Sequence, residues 1–192
     1  MKKLLFAAAL LVGSIGAAAA QTTVVKANIF SPLVKTGSFF IEHQVGAHGS
    51  VQLGGLFTAW GSGNTRLRGY AFTPEYRFYL SEGKPALQGF YVAPFVRYQH
   101  LGLSTDYQVT DGNGDATTQQ SRATLSTFGG GIVAGHQWIF RRRISLDAFL
   151  GPSYNQGPLH MEDTGSNTQE DYDTGSFQGF GVRAGLTFGV AF

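Results

Sequence analysis

The sequence has no cysteine, and beyond its first residues it has no apolar run long enough to be a membrane helix. The first absence leaves no thiol for a disulfide, a metal thiolate or a lipid anchor, although a domain of this size folds without any of them. The second excludes a helical span, which takes about 20 consecutive apolar residues. Charge is scarce as well. The chain has 14 Lys+Arg and 12 Asp+Glu, and Lys2 and Lys3 belong to a leader-like start, so the remainder holds 12 of each sign. A neutral chain offers no basic patch to nucleic acid. Glycine (27 residues) and aromatic side chains (14%) are plentiful instead, and both are high for a soluble globular domain.

Lys2, Lys3, an apolar run over 4–12 and the small residues Ala18, Ala19 and Ala20 follow the order of a secretory signal peptide. The expected division is a signal peptide over 1–20 and one domain over 21–192.

Residues 177–192 read FQGFGVRAGLTFGVAF. Phe180, Val182, Ala184, Leu186, Phe188, Val190 and Phe192 share one face at a period of two, which is the period of a strand. The opposite face is glycine, threonine and alanine with the single charge of Arg183. A soluble strand carries more charge on its wet face. In a membrane barrel the large apolar residues meet lipid, and a crowded lumen takes glycine and an occasional ion. A chain without membrane helices can cross only as a closed barrel, because lipid satisfies no unpaired strand edge.

The same alternation predicts strands over 24–31, 37–46, 50–60, 69–80, 89–101, 122–140, 144–154 and 177–192. Connections fall at 32–36, 47–49, 62–68, 81–88, 102–121, 141–143 and 155–176. The fold class expected is all-β, an eight-stranded antiparallel up-and-down transmembrane barrel. With both termini in the periplasm, the long loops 102–121 and 155–176 fall outside and the short turns inside, as in outer-membrane barrels. Pro74, Pro94 and Pro152 lie within strands, where they donate nothing to the ladder; bulges or local breaks are expected there.

The whole pattern resembles bacterial outer-membrane β-barrel proteins, with a signal peptide, eight alternating segments and a terminal phenylalanine. More narrowly, residues 73–79 (TPEYRFY) and 89–98 (GFYVAPFVRY) are similar to a family of small outer-membrane barrels of unknown function. The resemblance implies a Gram-negative outer membrane, reached by export through the periplasm. It also implies a barrel-assembly signal at Val182, Ala184, Leu186, Phe188, Val190 and Phe192. The partners expected are outer-membrane lipid, lipopolysaccharide and the barrel-assembly machinery, with a monomeric barrel and no cofactor.

Parity turns Lys26, Glu42, Glu75, Arg77, Arg97, Asp147 and Arg183 inward, four positive and three negative charges. An eight-stranded lumen has room for side chains and little else, and charges withdrawn from water need partners. An internal ion-pair network is the expectation, and a narrow ion or solute pore the alternative. A lipid-modifying hydrolase would need a nucleophile beside an oriented histidine. None of His43, His48, His100, His136 and His160 shows that pattern; His100 and Ser104 share a parity and nothing more. Residues 111–115 (DGNGD) open like a calcium loop, but Ala116 and Arg122 stand where that motif wants glycine and glutamate, so turn chemistry explains them. Glu162, Asp163, Glu170, Asp171 and Asp173 make 155–176 acidic, and a divalent cation could bridge them to lipopolysaccharide. Arg141–Arg143 could meet inner-leaflet phosphates. Trp60, Tyr70, Tyr98, Trp138 and Tyr154 stand near strand ends as candidate interfacial aromatics, Trp60 with inward parity. A soluble lipocalin-like carrier would require the opposite orientation, apolar inside and charged outside. The role expected is non-enzymatic, an envelope protein acting through residues 102–121 and 155–176.

Overall fold

The computed structural model describes residues 22–110, 116–163 and 178–192. Among these the strands are β1 (Thr23–Asn28), β2 (Thr36–Gln44), β3 (Gly49–Ser62), β4 (Thr65–Tyr79), β5 (Gly89–Thr110), β6 (Ala116–Phe140), β7 (Ile144–Gln156), β8 (Leu159–Asp163) and β9 (Gly179–Ala191). Strands β1 to β7 pair antiparallel in succession, and β9 pairs with both β7 and β1, which closes the ring. β8 is a continuation of β7. Phe128↔Gln156 and Leu125↔Leu159 keep one register along β6 across the gap. The interruption is Gly157–Pro158, where proline has no amide to donate. The barrel therefore has eight staves, all antiparallel, and no helix among the described residues is long and apolar enough to cross a membrane.

The alternation sorts two faces. Phe39, Phe57, Phe72, Phe128, Leu150 and Phe188 point outward and are 49–60% exposed, while Lys26, Glu42, Glu75, Arg77, Gln137 and Asp147 point inward and are at most 3% exposed. Water-soluble proteins rarely leave so continuous an apolar belt open. Lipid is its natural solvent, and the chain is a membrane β-barrel. The lipocalin-like orientation is excluded, because the charges are inside.

Several boundaries differ from those expected. β1 ends at Asn28, not at 31. The Asn28 side-chain oxygen accepts a hydrogen bond from the Phe30 amide at 3.0 Å, and a 3-10 turn (Ser31–Val34) containing Pro32 follows; asparagine turns the chain this way by imitating a backbone acceptor. The polar stretch 62–68 is mostly strand, with a two-residue turn at Gly63 and Asn64 in which Gly63 has φ +57°. Glycine in the first central position suits a tight hairpin of this kind. Residues 102–121 are a larger correction. β5 and β6 stay paired from Gly89↔Gln137 to Thr110↔Ala116, so most of the expected loop is a two-stranded extension. The prolines cause breaks without bulges. The β4–β5 ladder skips from Phe72↔Tyr98 to Glu75↔Phe95, past Pro74, and lapses again opposite Pro94. The β6–β7 ladder skips from Gly131↔Ser153 to Ala134↔Leu150, past Pro152. Register is the same on both sides of each gap.

Candidate functional site

The inner face of the barrel holds two unlike regions. In the half where β1 begins and β9 ends, period-two placement brings β1, β2, β4, β6 and β7 side chains to one point. Lys26 Nζ donates to Glu42 Oε2 at 2.6 Å, Gln137 Oε1 at 2.8 Å and Asp147 Oδ2 at 3.1 Å. Arg77 donates through Nε to Glu75 Oε1 at 2.6 Å and through Nη1 to Asp147 Oδ2 at 2.8 Å, with Glu42 Oε2 at 3.4 Å. The side chains of these five charged residues have no exposed surface. The remaining carboxylate oxygens are also met. Ser50 and Tyr79 hydroxyls donate to Glu42 Oε1 at 2.5 and 2.6 Å, and the Tyr91 hydroxyl to Asp147 Oδ1 at 2.7 Å. The Arg77 guanidinium also lies 4.2 Å from the Tyr91 ring centroid. Arg77 Nη2 is buried without a partner, but the carboxylates are met, and pairing of this kind is the condition under which buried charge is tolerated.

Below this cluster the connection 81–88 folds into the barrel end. Ala86 and Leu87 are 3% and 1% exposed, and Leu87 packs with Val24 and Ala191. The Ala86 amide donates to the Ala47 carbonyl at 2.9 Å, and Gln137 Nε2 donates to the Leu87 carbonyl at 2.9 Å. Gln137 thus ties a loop to the ion network. Sequence reasoning did not single out Gln137, Ser50 or Leu87; parity with Val133 and Gly135 would have turned Gln137 inward.

In the other half, Arg183 Nη1 donates to Glu75 Oε2 at 2.6 Å while its guanidinium lies 4.4 Å from the Phe95 ring and 4.9 Å from that of Phe149. Beyond it opens a cavity of about 420 Å³ lined by Phe95, Arg97, Gln99, Ser153, Asn155 and Arg183, with Phe180, Gly181 and Val182 on its rim. Arg97 is the only one of the seven inward charges that forms no ion pair among the described residues, and its Nε is buried without a partner. The structure therefore brings six of the seven together and leaves Arg97 apart.

Other candidates scatter. His100 Nδ1 shares a 2.9 Å hydrogen bond with Ser126 Oγ across the β5–β6 ladder, not with Ser104. The His100 ring stacks on Tyr70 at 5.4 Å, and no carboxylate orients it among the described residues. Trp60 keeps its inward parity, with Lys35 Nζ 5.5 Å from its ring. Tyr70, Tyr98, Trp138 and Tyr154 are outward and 38–51% exposed. Arg141 and Arg142 form the centre of a tight turn with φ +49° and +59°. No group of three or more His, Asp or Glu able to hold a metal occurs among the described residues. The signal-peptide segment 1–20, residues 111–115, and the acidic residues Glu170, Asp171 and Asp173 lie outside the described residues, as do the side chains of Glu162 and Asp163.

A family model described as a protein of unknown function, DUF3575, matches residues 5–162, more than half of the chain. The chain belongs to the DUF3575 family. No curated protein matches this DUF3575 chain. Among solved structures it is similar to a major outer membrane protein from Thermus thermophilus, with 16% identity, TM-score 0.46, and coverage of 91% of this chain and 100% of that one. It is also similar to the N-terminal β-barrel domain of Pseudomonas aeruginosa OprF, with 16% identity, TM-score 0.36, and coverage of 90% and 98%.

Proposed function

We propose that this DUF3575 protein is a non-enzymatic outer-membrane barrel with a sealed lumen, acting at the cell surface through residues 102–121 and 155–176. The observation that carries the reading is the plug. Lys26, Glu42, Glu75, Arg77 and Asp147 are cross-linked and fully buried, with Leu87 beneath them. A conducting path would have to part these ion pairs, so the plug speaks against the narrow pore. The β5–β6 hairpin supports a surface role. A tilted span uses about 9–11 residues, and β5 and β6 are 22 and 25 residues long, so roughly half of the hairpin stands clear of the membrane. The His100–Ser126 pair, which has no orienting third group among the described residues, speaks against hydrolase chemistry. In this reading the chain is exported through the periplasm and inserted by the barrel-assembly machinery, which reads the outward residues Val182, Ala184, Leu186, Phe188, Val190 and Phe192. It then stands as a monomer in contact with lipid and lipopolysaccharide.

Recording purified barrel in a planar lipid bilayer tests the reading. The expected trace is silent at voltages where porins conduct. Resolved single-channel steps from the unmodified protein would replace the sealed barrel with the narrow pore.

A further inference from the structure

Among the described residues the inward charges do not balance. Lys26, Arg77 and Arg183 are matched by Glu42, Glu75 and Asp147, and every carboxylate of that set is engaged by at least one of the three cations. The surplus charge is Arg97. The charged group acting on it among the described residues is Arg183, of the same sign. A partly buried guanidinium with an unpartnered Nε beside a second cation is an unfavourable arrangement as it stands. The arrangement becomes favourable when an anion joins the two.

We propose that the cavity at the mouth of the lumen is a binding site for an oxyanion, a phosphate or a carboxylate, held by Arg97 with Arg183 behind it. The rest of the lining fits such a guest. Gln99 and Asn155 supply amide donors, and Ser153 a hydroxyl. Arginine forks match both oxyanions in a two-point geometry. Arg183 is pre-positioned by Glu75 and two aromatic rings, so little order is lost when the guest arrives.

The rim says what the guest could carry. β1 stops at Asn28, and the β1–β9 ladder ends at Asn28↔Thr187, whereas β9 runs on beside β7 to Gly179. Over 179–185 the edge of β9 that would face β1 is unpaired by any strand among the described residues. Phe180 and Val182, both outward and 87% and 74% exposed, line the same cavity as Arg97. The cavity thus reaches the lipid-facing wall. The same oxyanion could be a free ion entering from solvent or the headgroup of an amphiphile whose tail lies along Phe180 and Val182.

Titration calorimetry on the folded barrel in a non-ionic maltoside detergent separates these cases, with inorganic phosphate and decyl phosphate as probes. Saturable binding is expected, weakened at least about tenfold by Arg97→Gln and less by Arg97→Lys, a size in keeping with one charge-assisted contact. Equal affinity for the two probes would assign a free anion. Decyl phosphate at least about tenfold tighter would assign a headgroup. Arg97 makes no hydrogen bond among the described residues, so the variants should fold, which a cold-against-boiled gel verifies. Binding of both probes unchanged in Arg97→Gln would overturn the site. So would wild-type protein that binds neither, since its charge would then be met within the chain. Neither result depends on whether the lumen conducts.

Discussion

Two inward arginines should respond in opposite ways to the same replacement. Arg77→Met removes a guanidinium that binds Glu75, Asp147 and, at longer range, Glu42, all with no exposed side-chain surface. Lys26 and Arg183 would be left against three carboxylates. Deleting one partner of a buried ion pair costs about 3–5 kcal/mol, because the charge left behind has lost its compensation and not its burial. With a urea dependence of about 1–3 kcal/mol per molar for a small protein, the unfolding midpoint falls by at least about 1 M. Arg97→Met takes away a charge with no ion pair among the described residues, so its cost is at most about 0.5 kcal/mol and its sign can be stabilising. Urea titration in lipid vesicles, followed by tryptophan fluorescence, reads both. A double-mutant cycle of Glu75→Gln with Arg77→Met should show coupling of about 0.5–3 kcal/mol. Equal small effects from the two arginines, or an additive cycle, would refute the claim that the lumen is held by its ion pairs.

Strand glycines should be sensitive where a side chain would meet a neighbour, as at Gly135, and tolerant where the space is open, as at Gly55. A Cβ at the inward Gly135 would stand 2.5 Å from the Tyr91 ring and 2.7 Å from the Ala148 carbonyl, whereas one at the outward Gly55 meets nothing within 4 Å. Gly135→Val should therefore cost about 1–3 kcal/mol in urea unfolding and Gly55→Ala close to nothing. Leu87→Ala empties a buried contact with Val24 and Ala191; it should cost about 2–3 kcal/mol and make 81–88 easier to cleave by protease. The Arg141–Arg142 turn holds two non-glycine residues at positive φ. Replacing the pair with Asn-Gly, the natural choice for such a turn, should raise stability by about 1 kcal/mol or more. An unchanged or lower midpoint would mean the arginines make contacts that outweigh their strain.

How much was legible in the sequence depended on where the two faces of a strand meet different surroundings. Between lipid and lumen they do, and the period of two at Phe180–Phe192 or Tyr70–Leu80 sorted inside from outside without any knowledge of neighbours. Beyond the membrane both faces meet water. Residues 116–121 are strand with no apolar face, and in 102–110 the alternation of Leu103, Tyr107 and Val109 with Gly102, Ser104, Asp106 and Gln108 is a strand signal that the polar composition of the stretch masks. Polar residues 65–68 were misread for the same reason. The end of β1 turned on one side chain, Asn28, whose hydrogen bond to Phe30 competes with continuing the strand. Alternation named the inward charges but could not pair them. Lys26 meets Asp147 because β9 joins β1 to β7, a closure visible only in the register. The isolation of Arg97 has the same origin, since charge counting showed a surplus cation and only geometry showed which one.

A closed barrel with its apolar face in lipid is the central claim, and fractionation with a cold-against-boiled gel tests it most directly. The prediction is a protein in the outer-membrane fraction whose unboiled form migrates as a compact, detergent-resistant species and shifts on boiling. A soluble periplasmic protein with one mobility in both lanes would contradict it.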